Sequence, residues 1–244
     1  METKSYTSAV ERGGIDEGLR GFMVKVYNYM AAGLCLTALV AYLIANTSLI
    51  EAFFNINQAA GTVSLSGLGW LLLIAPLIMI FAFQWVVTKG TAAQVNGVFW
   101  LFSAVMGASL TPTLLMYTAS SMTRVFLITA AMFGGMSLYG YTTKRDLTGF
   151  GSFLIMGLIG LIIATIVNMF MQSEAMYYAL SYIGVAIFVG LTAYDTQTIR
   201  NIYSSVDDDD MLTRKAVSGA LSLYLDFINL FLYLLRLMGD RNNL

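Results

Sequence analysis

Asp195 and Asp226 lie within long apolar runs of a 244-residue chain in which only 11% of residues are charged. A carboxylate near the centre of a bilayer costs about 2.5–3.5 kcal/mol on insertion scales, and such groups generally face protein or water and mark function. Two neighbouring carboxylates with no cation between them cannot both ionise easily, so they share a proton and titrate as a unit. A shared proton would hold their helices together. Its loss would introduce repulsion, relieved by opening, by water or by a hard cation such as Ca²⁺, which takes oxygen ligands. The chemistry these residues point to is a proton-gated cation leak, with Asp195 and Asp226 as pH sensor, gate and passing calcium contact.

The surroundings of Asp226 support an inward-facing site. Ser218, Ser222, Asp226, Asn229, Tyr233 and Arg236 follow one another at spacings of four, four, three, four and three. On an α-helix they fall within an arc of roughly 80°, a continuous polar stripe. Lipid cannot satisfy such a face, so it is expected against other helices or a water-filled cavity. Asp195 precedes Arg200 by five residues and Asp226 follows Lys215 by eleven. If both basic residues mark one interface, the two Cα atoms differ in depth by roughly 9 Å. Modest tilt or a helical extension in the connecting loop would close that gap.

Other chemistries are limited by what the chain contains. It has no histidine, which rules out Ser-His and Cys-His catalysis, the usual His-bearing zinc sites and imidazole as a pH switch. Its single cysteine, Cys35, builds neither a disulfide nor a thiolate metal site within one chain and is expected to be a small core residue. No cofactor is implied beyond Ca²⁺ as a transported ion. With 13 basic and 14 acidic residues spread along the chain, there is no basic patch for nucleic acid.

The elements that position these residues are membrane helices. A hydrophobic content of 58% and a mean hydropathy of +0.73 place the chain in the bilayer. Runs of about 20 mainly apolar residues, the length that spans hydrocarbon, occur at 22–46, 68–87, 95–117, 125–141, 150–171, 177–199 and 216–238. The predicted fold is therefore all-α and polytopic, with seven transmembrane helices joined mostly by short loops. Its divisions are an N-terminal tail (1–21), a membrane domain (22–238) and a C-terminal tail (239–244). The first 21 residues are polar and of mixed charge, unlike a cleaved signal, and read as a tail ending in a surface turn. Ten basic residues lie on the side of the N-terminus, while Arg124, Arg236 and Arg241 lie on the other, which puts the N-terminus in the cytoplasm. Arg236 and Arg241 sit awkwardly outside, so the last helix is a candidate for a re-entrant segment.

Pro76 and Pro112, the chain's two prolines, both fall inside predicted spans. There each removes a backbone hydrogen bond, a loss tolerated where neighbours satisfy the freed carbonyl. Gly134, Gly135, Gly157, Gly160, Gly184 and Gly190 are expected to let helix backbones approach closely. The acidic run Asp207-Asp208-Asp209-Asp210 reads as solvated loop; it lacks the spaced ligands and glycine of a calcium-binding loop.

Three segments carry a resemblance. Tyr139-Gly140-Tyr141-Thr142-Thr143-Lys144-Arg145-Asp146-Leu147, Gly190-Leu191-Thr192-Ala193-Tyr194-Asp195-Thr196-Gln197, and Ala220-Leu221-Ser222-Leu223-Tyr224-Leu225-Asp226-Phe227-Ile228-Asn229-Leu230-Phe231 resemble signature segments of bacterial members of the Bax inhibitor-1 family. The resemblance implies a seven-helix fold in the bacterial inner membrane, with the C-terminal helix central and wrapped by the other six. It also implies a diaspartyl pH sensor of calcium leak that maps onto Asp195 and Asp226. Some members carry an arginine in helix two that pairs with an acid; residues 68–87 contain none, which makes a proton alone the expected latch.

Two other readings remain open at this point. One is a membrane-embedded regulator that binds a membrane protease or stress machinery through its charged loops. The other is an intramembrane aspartyl protease, which also uses a Tyr-Asp pair on one helix and an Asp on the next. That class carries Gly-x-Gly-Asp at its second acid and Pro-Ala-Leu beyond, whereas this chain has Tyr224-Leu225-Asp226 and no proline after Pro112. A retinal protein is disfavoured further by the absence of lysine within the seventh apolar run.

Overall fold

The computed structural model describes the backbone of residues 2–57 and 62–242, and side chains over 17–53 and 66–242. Eight helices run in chain order, α1 (Glu2–Ala45), α2 (Leu49–Phe53), α3 (Gly67–Lys89), α4 (Ala92–Leu115), α5 (Ala119–Thr142), α6 (Thr148–Met171), α7 (Glu174–Asn201) and α8 (Asp209–Met238). Seven of them are long and apolar enough to cross a membrane; α2 is a five-residue exception. Between α2 and α3 a small antiparallel hairpin pairs β1 (Phe54–Asn57) with β2 (Thr62–Leu65). The all-α polytopic architecture expected from the apolar runs is the one observed.

The helices start where polar side chains satisfy their first free N–H groups. Ser66, Thr118, Ser173 and Asp208 each accept from a backbone N–H three residues on, and Thr91 forms a reciprocal capping box with Gln94. Thus the acidic run is a helix start and not merely solvated loop. Asp208 caps α8 and accepts from Met211 N at 2.7 Å. Asp207 pairs with Lys215 at 2.5 Å, and Asp210 accepts from Ala92 N at 2.9 Å. Negative charge is favoured at a helix N-terminus, the signal in the tetra-aspartate that identifies its role. The first helix also begins earlier than its apolar run, since residues 2–21, read as a tail, continue α1 without a break.

Pro76 and Pro112 lie inside α3 and α4. Pro76 frees the carbonyl of Leu72, and Ser109 of α4 reaches across to donate its hydroxyl to that oxygen at 2.5 Å. The neighbour supplies the bond the proline removed.

The core is built around α8. Fourteen of its residues are buried, and it packs against α7, α1, α5 and α4, with a lighter contact to α3. Tyr224 is fully buried; its hydroxyl meets Thr37 at 2.7 Å, and the edges of Phe99 and Phe102 close on its ring. The C-terminal helix is central as expected, but the wrapping is uneven. The main contact of α6 is with α7, and α3 leans chiefly on α4.

Glycine accounts for the tightest crossings, though not all at the expected positions. A Cβ at Gly140 would run into the carbonyl of Ala193, and one at Gly107 into the backbone of Thr37. Gly184 takes the ring of Tyr233, Gly190 the side chain of Leu154, and a Cβ at Gly157 would press on Ile187 at 3.3 Å. Gly134, Gly135 and Gly160 face open space, so the packing role expected of them does not hold. Cys35 departs from expectation too: it is exposed on the outer face of α1.

The far end, opposite the α7–α8 connection, explains the arginines that fitted poorly with a last full crossing. Arg124 pairs with Asp240 at 3.0 Å, and the guanidinium of Arg236 lies 5.1 Å from the Tyr233 ring centre and 5.8 Å from that of Tyr177. Arg241 forms a bridge with Tyr117, and Thr118 N donates to Asp240 O at 3.0 Å. Burial holds the Tyr117 phenol above its usual 10.0, with Tyr177 adding to the effect and Arg241 opposing it. The helix of 30 residues runs through to this end, and a re-entrant path is not needed to place its arginines.

Candidate functional site

Asp195 and Asp226 stand on α7 and α8, the most extensively packed helix pair of the molecule. The register between these antiparallel helices is fixed where Ile199 meets Gly219 and Tyr233 meets Gly184. It sets Asp195 level with about Leu223, leaving roughly three residues, or about 5 Å, of axial offset from Asp226. The larger gap expected from the basic residues closes because α7 continues to Asn201 and α8 starts at Asp209, ahead of Lys215.

Asp226 is 4% exposed, whereas Asp195 is only half-buried. No direct hydrogen bond joins them; the Oδ2 of Asp226 is buried with no partner among the described residues. An unpartnered buried polar atom is costly, and an ionised one more so. This oxygen therefore calls for a proton, a water molecule or a cation.

The rest of the polar stripe divides. Ser218, Ser222, Asn229 and Tyr233 are half-buried on α8, while Arg236 emerges at the far end. Asn229 does not reach the acids: its Nδ2 donates to Leu225 O within its own helix at 2.8 Å. Tyr233 stacks on Phe188 of α7 with 5.8 Å between ring centres. As a calcium contact the two acids make a sparse set, since Ca²⁺ takes six to eight oxygens and no group of three or more Asp, Glu, His or Cys gathers among the described residues.

Around Asp195 the structure brings together residues that sequence reasoning did not single out. Gln197 clamps the α5–α6 connection, accepting from Leu147 N and donating to Arg145 O, both at 2.8 Å. Arg200 adds a bond from its guanidinium to Tyr141 O at 2.5 Å. Two of the signature segments are thus one unit in space: Gly140 seats α5 on α7, and Gln197 and Arg200 hold the loop that follows. Within that loop Asp146 accepts from Thr148 N at 2.9 Å and Thr148 Oγ1 at 2.6 Å, which holds its carboxyl below the usual 3.8. The Gln197 signal was present in the quoted motif, two residues after Asp195, without any spacing rule to expose its partners.

A hydroxyl chain flanks the site. Tyr27 meets Ser137 at 2.5 Å, Ser137 meets Thr196 at 2.9 Å, and Thr196 donates to Thr192 O at 2.7 Å. Because each hydroxyl carries one proton, the last bond fixes the others, so that Ser137 donates to Thr196 and Tyr27 donates to Ser137. The chain ties α1 to α5 and α5 to α7 beside Asp195.

Comparison with known proteins bears on what this arrangement belongs to. The Inner membrane protein YbhL of Escherichia coli (strain K12) is 46% identical over 226 residues, covering 92% of this chain and 93% of its own length. A protein of Rickettsia prowazekii is 41% identical over 241 residues, with 99% and 98% covered. Another from Borreliella burgdorferi is 43% identical over 223 residues, with 91% and 93% covered. The family described as Inhibitor of apoptosis-promoting Bax1 matches residues 19–243. That match takes in all three signature segments and both aspartates, and the chain belongs to the Bax inhibitor-1 family.

Proposed function

We propose that this membrane protein is a pH-sensitive calcium leak channel serving ion homeostasis, gated by Asp195 and Asp226. The observation that carries the reading is the Oδ2 of Asp226, buried without a partner among the described residues, on the helix packed most extensively against the one that carries Asp195. A proton on the pair lets α7 and α8 stay packed. Deprotonation sets two like charges side by side in a low dielectric, which favours separation, hydration or cation entry. The acids act on the helix pair that forms the centre of the bundle, so a small displacement there reaches several other helices. We place the protein in the bacterial inner membrane with its N-terminus in the cytoplasm; the excess of basic residues at that end and the positive-inside rule support this orientation. The helix-two arginine of some relatives has no counterpart within α3, whose basic residue is Lys89 in its last turn, so protonation is the latch we assign.

The test is calcium flux into dye-loaded liposomes holding purified protein, measured from pH 5 to 8. Wild type should show a titrating leak, and Asp195→Asn and Asp226→Asn should each flatten the pH response while keeping helicity and melting behaviour. An amide replaces the acid with nearly the same shape and no titration. If both variants retain the wild-type pH response, the pair is not the sensor, and a regulator that binds a membrane protease or stress machinery becomes the better reading.

A further inference from the structure

We infer that the groove between α1 and α5 is a binding site for one acyl chain of an anionic phospholipid, with the phosphate held beside Arg20. The two helices are bridged by the Tyr27–Ser137 hydroxyl contact, and otherwise a cavity of about 510 Å³ lies between them. Its floor is Phe227 of α8, and its walls include Met23 and Met30 of α1 and Gly134 of α5. Val24 and Leu138 on its lips are 50% and 63% exposed, so the groove opens sideways towards hydrocarbon.

Length and width select the occupant. On α1 the lining runs from Arg20 to Met30, and on α5 from Tyr141 back to Ala130. Ten or eleven residues of helix rise amount to roughly 15 Å, about half the hydrocarbon core and so the depth of one leaflet. Spread over that length, the cavity has a cross-section of roughly 34 Å², room for one alkyl chain. Charge selects the headgroup. Arg20 closes the groove at the end where α1 enters the membrane span, and a guanidinium pairs with phosphate through parallel hydrogen bonds.

Hydrophobicity alone gives no preference here, because lipid tails surround every outer face of the protein. Selective retention has to come from shape and from Arg20. Gly134 supplies the shape: a Cβ there meets nothing within 4 Å, so a larger side chain would fill the groove without displacing a helix.

The experiment uses full-length protein in nanodiscs of equal phosphatidylglycerol and phosphatidylethanolamine, with lipid retained through detergent release counted by native mass spectrometry. Wild type should keep one phospholipid per chain, phosphatidylglycerol at least fivefold over phosphatidylethanolamine. Gly134→Leu and, at the deep end, Ala130→Leu should each lower retention at least fivefold with helicity unchanged. Arg20→Gln should keep the lipid and lose the headgroup preference. The assignment is overturned if wild type retains no lipid, if both filling variants hold as much as wild type, or if Arg20→Gln leaves the preference intact. Calcium flux plays no part in the readout, so the outcome is independent of the gating proposal.

Discussion

At the scale of single residues, the most consequential side chains are those whose hydrogen bonds run out. Asp226 ends in an oxygen with no partner, while Tyr27, Ser137 and Thr196 hand one bond to the next until a backbone carbonyl receives the last. Ser137→Ala should cost about 1–3 kcal/mol, because it strands the Tyr27 donor and removes the donor to Thr196; a thermal melt in detergent measures it. On the proposed gating, the same variant should leave the pH midpoint of flux in place, since no titrating group is lost. A shifted midpoint would show that this chain takes part in sensing. The two acids were legible in the sequence because charge is so rare in its apolar runs. Gln197 was not, since a neutral amide in a helix shows its worth only when the backbone of another loop arrives beside it.

Among the elements, existence and order could be read from apolar length, because hydrocarbon thickness sets the required run. Their ends could not. Helix starts depend on caps such as Asp208 and Thr91, and a run of four aspartates looks like solvated loop until its N-terminal position is known. Glycine was the less reliable guide: Gly140 and Gly107 make the closest backbone crossings, while Gly134 and Gly135 border open space. One-dimensional spacing does not tell which face of a helix meets a neighbour. The proline in α3 gives a quantitative test of an inter-helix repair. Ser109→Ala should cost about 1–3 kcal/mol in the wild-type background, where Leu72 O has lost its helical donor, and much less alongside Pro76→Ala, where that donor returns. Equal costs in the two backgrounds, measured by a double-mutant cycle, would remove the repair from the account.

For the whole molecule, both ends of the bundle are stitched, by different means. At the near end cationic side chains grip backbone carbonyls: Arg214 binds Val87 O, Lys215 binds Ile202 O at 2.9 Å, and Arg200 binds Tyr141 O. At the far end the last residues fold back, so that Asp240 meets Thr118 and Arg124, and Asn242 N donates to Met116 O at 2.9 Å. The expected C-terminal tail is in this way a clasp on the α4–α5 connection. Deleting residues 240–244 should lower stability by about 2–4 kcal/mol, counting two backbone hydrogen bonds, the bonds from Asp240 N to Ser121 Oγ and from Asn242 Nδ2 to Leu115 O and Tyr117 O, and little for the exposed ion pair. An unchanged melting temperature after the deletion would mean the clasp contributes nothing. The central place of α8 followed from resemblance, and the structure adds the asymmetry, with α6 one helix removed from it. Sequence could not give that, because every span is apolar enough to face either lipid or protein.

The hydroxyl chain beside Asp195 has one more consequence. As a conductor of protons it is a dead end: the last oxygen in line belongs to an amide, too weak a base to take up a proton and pass it on. The seam between α1 and α5 is thereby an insulator, stitched by polar groups yet closed to charge. On the gating proposed above, a proton that titrates Asp195 or Asp226 does not arrive through these three hydroxyls, whose bonds all run toward the amide oxygen of Thr192.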